Sequence, residues 1–178
     1  FYATAPLTTT LYLPLVQQPA PQLLIAAAHI DSTISGEGDE ALWFWNNGAA
    51  AVPLAGWQIT GNGRAATFPT TNTLTIPPAA GLWCTADPTL FRRTFGLAPD
   101  CEWGADDDPT VPNLSGSVLS LVNGGGVIQL RTPDGELIDV LAYGNEGEIP
   151  VGWRGQAAQL YSRGAIGSAG QVWRRKPD

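Results

Sequence analysis

The sequence contains no methionine, a single histidine (His29) and a single lysine (Lys176). Without a methionine at position 1 it reads as a mature or excised piece of a longer protein. A removed signal peptide or an upstream membrane anchor would both fit. One histidine excludes a multi-histidine metal set, and it leaves one imidazole to act as base in a Ser-His-Asp or Cys-His arrangement. His29 sits in mid-strand, and no Gly-x-Ser-x-Gly elbow is present. No histidine has a lysine two residues on, the pair that phospholipase-D chemistry requires. The fragment is therefore expected to be non-catalytic. Charge is scarce, at 14% of residues, and no apolar run approaches the roughly eighteen residues of a membrane helix.

What is abundant is turn and strand material: 21 Gly, 15 Pro and a 44% hydrophobic fraction, which suit many short strands and argue against long helices. The clearest pattern runs from Leu119 to Gly144. Three runs with apolar residues at alternate positions are separated by Asn123-Gly-Gly-Gly126 and Pro133-Asp134-Gly135. Alternation sends one set of side chains to one face, and Asp-Gly supplies the positive φ of a tight turn. The stretch predicts two successive hairpins.

Further strands are expected at 23–31, 39–46, 52–54, 56–60, 66–68, 73–76 and 81–85, with one short helix at 91–97. Seven to nine strands without helical crossovers predict an all-β, immunoglobulin-like antiparallel sandwich. The domain is expected to span 23–144. Residues 1–22 are read as a Pro-rich linker or an added edge strand, and 145–178 as a basic extension or a linker to a further domain.

Charge is divided unevenly. Fifteen acidic and four basic residues lie through Trp153, against five basic and one acidic from Arg154 onward. An acidic body repels phosphate backbones, which argues against nucleic-acid binding by the sandwich.

Cys84 and Cys101 either form a disulfide, which would contribute about 3 kcal/mol through loop closure, or remain two buried thiols. Scarce lysine, abundant Thr and Trp, and the Pro-rich start favour an extracytoplasmic setting, secreted or at the cell surface.

Several residues stand out. Trp57, after Gly56, is expected to anchor the core. Burying an indole is worth at most about 4–6 kcal/mol, and Gly56 would let a neighbouring backbone approach. Trp43 and Trp45 share the face opposite Leu42 and Phe44. That face is covered by the N-terminal segment or the Arg-rich tail, or else it binds a partner. With Trp153, these tryptophans are candidate stacking platforms. Asp106, Asp107 and Asp108, near Asp100 and Glu102, offer hard oxygen ligands suited to Ca²⁺. Their spacing does not match an EF-hand loop, and a solvated acidic turn is the alternative reading. No other cofactor is expected.

Residues 23–144 resemble the lamin tail domain family, an immunoglobulin-like sandwich of nuclear lamins and many bacterial extracellular proteins. The resemblance rests on Leu23–Asp31, on Asp39-Glu40 opening a strand that ends at Asn46, on Val52-Pro-Leu-Ala-Gly-Trp57, and on the stretch from Leu119 through Asp134-Gly135 to Asp139–Gly144. Ala27 and Trp43 stand where the family often has glutamates, so no ligand role for those carboxylates carries over. The ending Trp173–Asp178 is similar to a short basic element that follows the domain in several bacterial architectures. The resemblance implies an accessory domain for binding, targeting or spacing in a larger extracytoplasmic protein. Its partner would be a protein or a cell-surface polymer. Two alternatives are a targeting module of a secreted nuclease-like or phospholipase-D-like hydrolase, and a carbohydrate-binding module. Fold alone does not decide among them.

Overall fold

The computed structural model describes residues 22–71, 74–144 and 169–175. The expected N-terminal segment and most of the C-terminal extension, Trp153 included, lie outside them. The described chain is all-β with one helix. In order its strands are β1 (Leu23–His29), β2 (Ala41–Asn46), β3 (Val52–Pro53), β4 (Gln58–Gly61), β5 (Arg64–Thr67), β6 (Thr75–Ile76) and β7 (Ala80–Thr85). Helix α1 (Pro88–Phe95) follows. Then come β8 (Cys101–Trp103), β9 (Asn113–Gly116), β10 (Gly125–Arg131), β11 (Leu137–Gly144) and β12 (Val172–Arg174).

Ten of these strands form one curled sheet in the order β11-β10-β4-β5-β9-β8-β7-β2-β1-β12, while β3 and β6 pair separately. The sheet is mixed, which corrects the antiparallel expectation: β8 runs parallel to both β7 and β9. Parallel neighbours need a crossover, and α1 supplies the one between β7 and β8. The expectation of no helical crossover was therefore also wrong. The strand count exceeds seven to nine because the three- to four-residue segments β8, β9 and β12 join the large sheet, too short to show alternation.

Strand β1 explains why its sequence is a continuous apolar run. Leu23 and Ile25 point into the core, the register then shifts between Ile25 and Ala27, and beyond the shift Ala28 and Ile30 point inward. A bulge reverses the parity of a strand, and an alternating sequence would have placed a polar residue in the core after it.

The helix is set by local chemistry. The Asp87 carboxylate accepts from the N–H groups of Thr89 (2.7 Å) and Leu90 (3.0 Å), Pro88 opens the first turn, and Gly96 closes the last. The disulfide Cys84–Cys101 joins directly paired residues of β7 and β8. Across its 17-residue separation, loop closure is worth about 3 kcal/mol.

Strand β9 carries the sheet around its curl. Asn113 and Leu114 pair with β8, Ser115 and Gly116 with β5. Gly116 has φ +117, and a Cβ there would come within 2.5 Å of the Ala65 carbonyl oxygen, so only glycine fits. The core lies inside the curl. Leu42, Phe44, Cys84 and Trp103 come from one half, and Ile59, Phe68, Ile128, Leu130 and Tyr143 from the other. Phe44 meets Phe68 edge-on across the middle, at 6.0 Å between centroids.

The second expected hairpin is present: β10 pairs with β11, and Gly135 N–H donates to Thr132 O across the turn. The first is not. Leu119 and Leu121 are buried, yet residues 117–122 form no strand, because the other edge of β10 is taken by β4 from Ile128 to Arg131. Their apolar alternation fills the core without joining a ladder.

The sheet continues past Gly144 in space, since β12 pairs with β1 through Ala27–Arg174, Ala28–Trp173 and His29–Val172. Near this edge β1 also meets β11. Asp139 Oδ2 accepts from Ile25 N–H at 2.8 Å, at the bulge, and Arg175 Nη2 reaches both Asp139 oxygens at 2.9 and 2.7 Å. One fully buried carboxylate thus ties together three segments far apart in sequence.

Candidate functional site

The outer face of β1, β2 and β7 carries the most chemistry. Registers Leu24–Trp45, Ala27–Trp43 and His29–Ala41 on one side, and Trp45–Gly81, Trp43–Trp83 and Ala41–Thr85 on the other, place these residues on one surface. Leu42 and Phe44 turn inward and are fully buried, as their alternation predicts. Trp43, Trp45 and Trp83 are half-buried.

Their rings form a ladder. Trp45 lies 5.2 Å from Trp43 at an interplanar angle of 53°, and Trp43 lies 6.0 Å from Trp83 at 20°. Trp83 lies 6.1 Å from Phe95 of α1 at 17°, and Phe95 meets His29 edge-on at 5.1 Å. Helix α1 covers the His29 end of the face, while the Trp45 end is flanked by half-buried Leu24 and exposed Gly81. A Cβ at position 81 would run into the Trp43 indole and the Phe44 carbonyl oxygen (2.6 Å), so glycine lets the indole lie flat on the strand. The sequence reading missed Trp83, although the alternation Leu82-Trp83-Cys84 places it on this face.

Beneath α1 lies a buried polar cluster. His29 is fully buried, with Nδ1 3.2 Å from Gln171 O and Nε2 3.4 Å from Asp39 Oδ2. Thr94 Oγ1 donates to the same Asp39 oxygen at 2.5 Å. Burial opposes the Asp39 charge, but hydrogen bonds from Ser32 and Thr94 and the nearby His29 ring outweigh it and hold its carboxyl below the usual range. Next to it, burial pushes Glu40 up to about 8. The Leu121 backbone offsets this in part, and the carboxylates of Glu37 and Asp39 add to it. Ser32 engages Asp39, and among the described residues no hydroxyl or thiol is paired with His29.

The expected calcium ligands do not converge. Among the described residues, no three His, Cys, Asp or Glu side chains are grouped to hold a metal. Asp106 and Asp107 are exposed. Asp108 accepts from Thr110 Oγ1 (2.6 Å) and Thr110 N–H (2.9 Å) and pairs with Arg92 Nη2 at 2.6 Å, bonds that pull it down to about 2. Glu102 is fully buried beneath this loop. Burial raises its pKa, the backbone N–H groups of Asp108 and Asp107 offset that, and the Asp106 and Asp107 carboxylates add to the rise.

The other singled-out residues are structural in location. Trp57 is half-buried and packs against the core, while among the described residues the fully buried indole is Trp103, which the sequence reading did not single out. Gly56 has φ +72 and donates its N–H to Phe68 O at 3.1 Å, and a Cβ there would meet the Pro133 side chain at 3.4 Å. Asp134 is exposed in the β10–β11 turn. Asn46, fully buried, donates through Nδ2 to the carbonyls of Ala50 (2.8 Å) and Ile76 (2.9 Å) and so anchors the loop after β2.

Compared with models of known families and with curated protein sequences, the chain matches none. Its function is therefore argued from the arrangement of its own residues.

Proposed function

We propose that this chain is a non-catalytic, immunoglobulin-like accessory domain of the lamin tail type, used for binding, targeting or spacing in a larger extracytoplasmic protein. The observation that carries this reading is the half-exposed Trp45–Trp43 end of the outer face, beyond the cover of α1. Aromatic side chains left partly in water on a rigid sheet suit recognition by contact area. The disulfide supports an oxidising compartment. His29 supports the non-catalytic half of the reading, since it is fully buried and faces Asp39 and a backbone carbonyl. The test is to assay the purified chain against phosphodiester, ester and glycoside substrates, alone and as His29→Gln. No turnover is expected, and turnover abolished by the substitution would overturn the proposal.

A second reading, a carbohydrate-binding module, is favoured by the two half-buried indoles of Trp43 and Trp45 side by side on the outer face. The 53° angle between Trp43 and Trp45 makes the surface stepped, so it suits a twisted glycan chain better than a flat crystalline one.

A further inference from the structure

The strands beneath the half-buried tryptophans carry no acidic residue. Segments 22–28, 41–53 and 77–84, which hold β2 and most of β1 and β7, contain no Asp or Glu, in a sequence with 16 of them and a net charge of −7. The described carboxylates gather elsewhere. They lie at 31–40 and Asp87, past the His29 end of the face, at 100–108 around β8, and at 134–139 in the β10–β11 hairpin.

A cation does share the tryptophan face. Arg174 of β12 pairs with Ala27, and Ala27 pairs with Trp43, so the three form one row on the side opposite inward-facing Ala28 and Leu42. Two inter-strand spacings set the Arg174 and Trp43 Cα atoms about 10 Å apart. Ala27 contributes only a methyl group between them, so the row has no bulk separating guanidinium from indole. Arg174 is exposed, and among the described residues no carboxylate is paired with it. Its neighbour Arg175 is held on Asp139 instead.

On the reading of the outer face as a binding surface, we propose that it takes an acidic glycan in which neutral sugars alternate with uronic acids. A neutral pyranose ring lies on the Trp45–Trp43 end, and the carboxylate of the adjoining uronic acid pairs with Arg174.

Each half of this ligand meets a group suited to it. The C–H face of a sugar ring is apolar and packs on an indole. The ladder from Trp45 to Phe95 already fixes the indoles, so little side-chain freedom is lost on binding. The guanidinium presents parallel N–H donors in the fork geometry that a carboxylate accepts. The lack of acidic side chains on these strands removes, at this face, the repulsion that the rest of the chain imposes on an anion. A nucleic acid fits less well. Its phosphate at every nucleotide calls for a groove lined with cations, and the rows at Trp43 and Trp45 present Arg174 alone.

The experiment titrates the full chain with a hyaluronan hexasaccharide, in which uronic acid and neutral sugar alternate, and with chitohexaose, an uncharged chain of the same length. Tryptophan emission and heat are followed at about 0.02 M and about 0.3 M salt. Hyaluronan should shift the emission and bind at least about fivefold tighter than chitohexaose at the lower salt, with the advantage shrinking at the higher. Arg174→Gln should remove that advantage and leave chitohexaose binding unchanged. Arg64→Gln, an exposed arginine on β5, should change neither. Trp45→Ala should weaken both ligands.

Equal affinity for the two sugars, lost in Trp45→Ala, overturns the acidic ligand while leaving the outer face a binding surface. Failure to bind hyaluronan overturns the proposal, as does an Arg174→Gln chain that binds it like wild type. An equal loss in Arg64→Gln, or a single-stranded oligonucleotide that binds as tightly as hyaluronan, reduces the effect to general charge and overturns it too.

Discussion

Replacing Glu40 with glutamine should stabilise this protein, and by an amount that depends on pH. Glu40 is 8% exposed just before β2, and burial followed by the carboxylates of Glu37 and Asp39 raises its pKa from 4.5 to about 8. Between those values the folded chain keeps a proton that the unfolded chain has released. Stability from this group is complete below about pH 4.5, falls as pH rises through the window, and levels off above about 8. At about 1.4 kcal/mol per pH unit the span gives about 5 kcal/mol, and solvent screening at its partly open rim lowers the working figure to about 3 kcal/mol. Against a typical net stability of about 5–15 kcal/mol that is a large fraction. Glutamine keeps an oxygen that can accept from the Leu121 backbone but carries no charge. Urea melts of wild type and Glu40→Gln at about pH 5 and pH 8 isolate the effect, because Glu102 and Asp139 titrate equally in both chains. The variant should match wild type at the lower pH and exceed it by about 3 kcal/mol at the higher. A difference that stays constant with pH, or a variant weaker at pH 8, would refute the reasoning.

Two further outcomes test the packing. Arg175→Ala leaves the fully buried Asp139 carboxylate with no charged partner, held only by the backbone of Ile25 and Val140, and should cost about 3 kcal/mol by denaturant midpoint, with faster amide exchange at the β1 bulge. Gly81→Ala drives a methyl group against the Phe44 carbonyl and the Trp43 indole, and should cost about 1–3 kcal/mol with a shift in tryptophan emission. An unchanged spectrum and an unchanged melting temperature would remove the close packing claimed for that face.

The sequence made legible what depends on neighbours in the chain. Alternation located β2, β7, β10 and β11, and it separated Leu42 and Phe44 from Trp43 and Trp45. Turn chemistry located Asp134-Gly135. What it hid depends on partners far away. Strand β8 reads Cys101-Glu102-Trp103, buried at all three positions, so no period appears. Strand β12 becomes a strand only because β1, more than a hundred residues earlier, offers it an edge. Leu119 and Leu121 alternate like a strand but face a ladder already occupied by β4. The cluster of His29, Asp39, Thr94 and Gln171 draws on four separate segments, and no local spacing could have assembled it. Trp103 gave no signal distinguishing it from Trp57, because which indole ends at the centre follows from the curl of the sheet.

The bridge between Cys84 and Cys101 closes a covalent ring around α1, with Phe91, Phe95 and the arginine pair Arg92-Arg93 inside it. A protease that cuts once within this ring, for instance after either arginine, nicks the polymer without separating it into two molecules. Under oxidising conditions the two sides of such a cut therefore stay covalently joined, and the nicked segment remains tethered to the sheet it rests on.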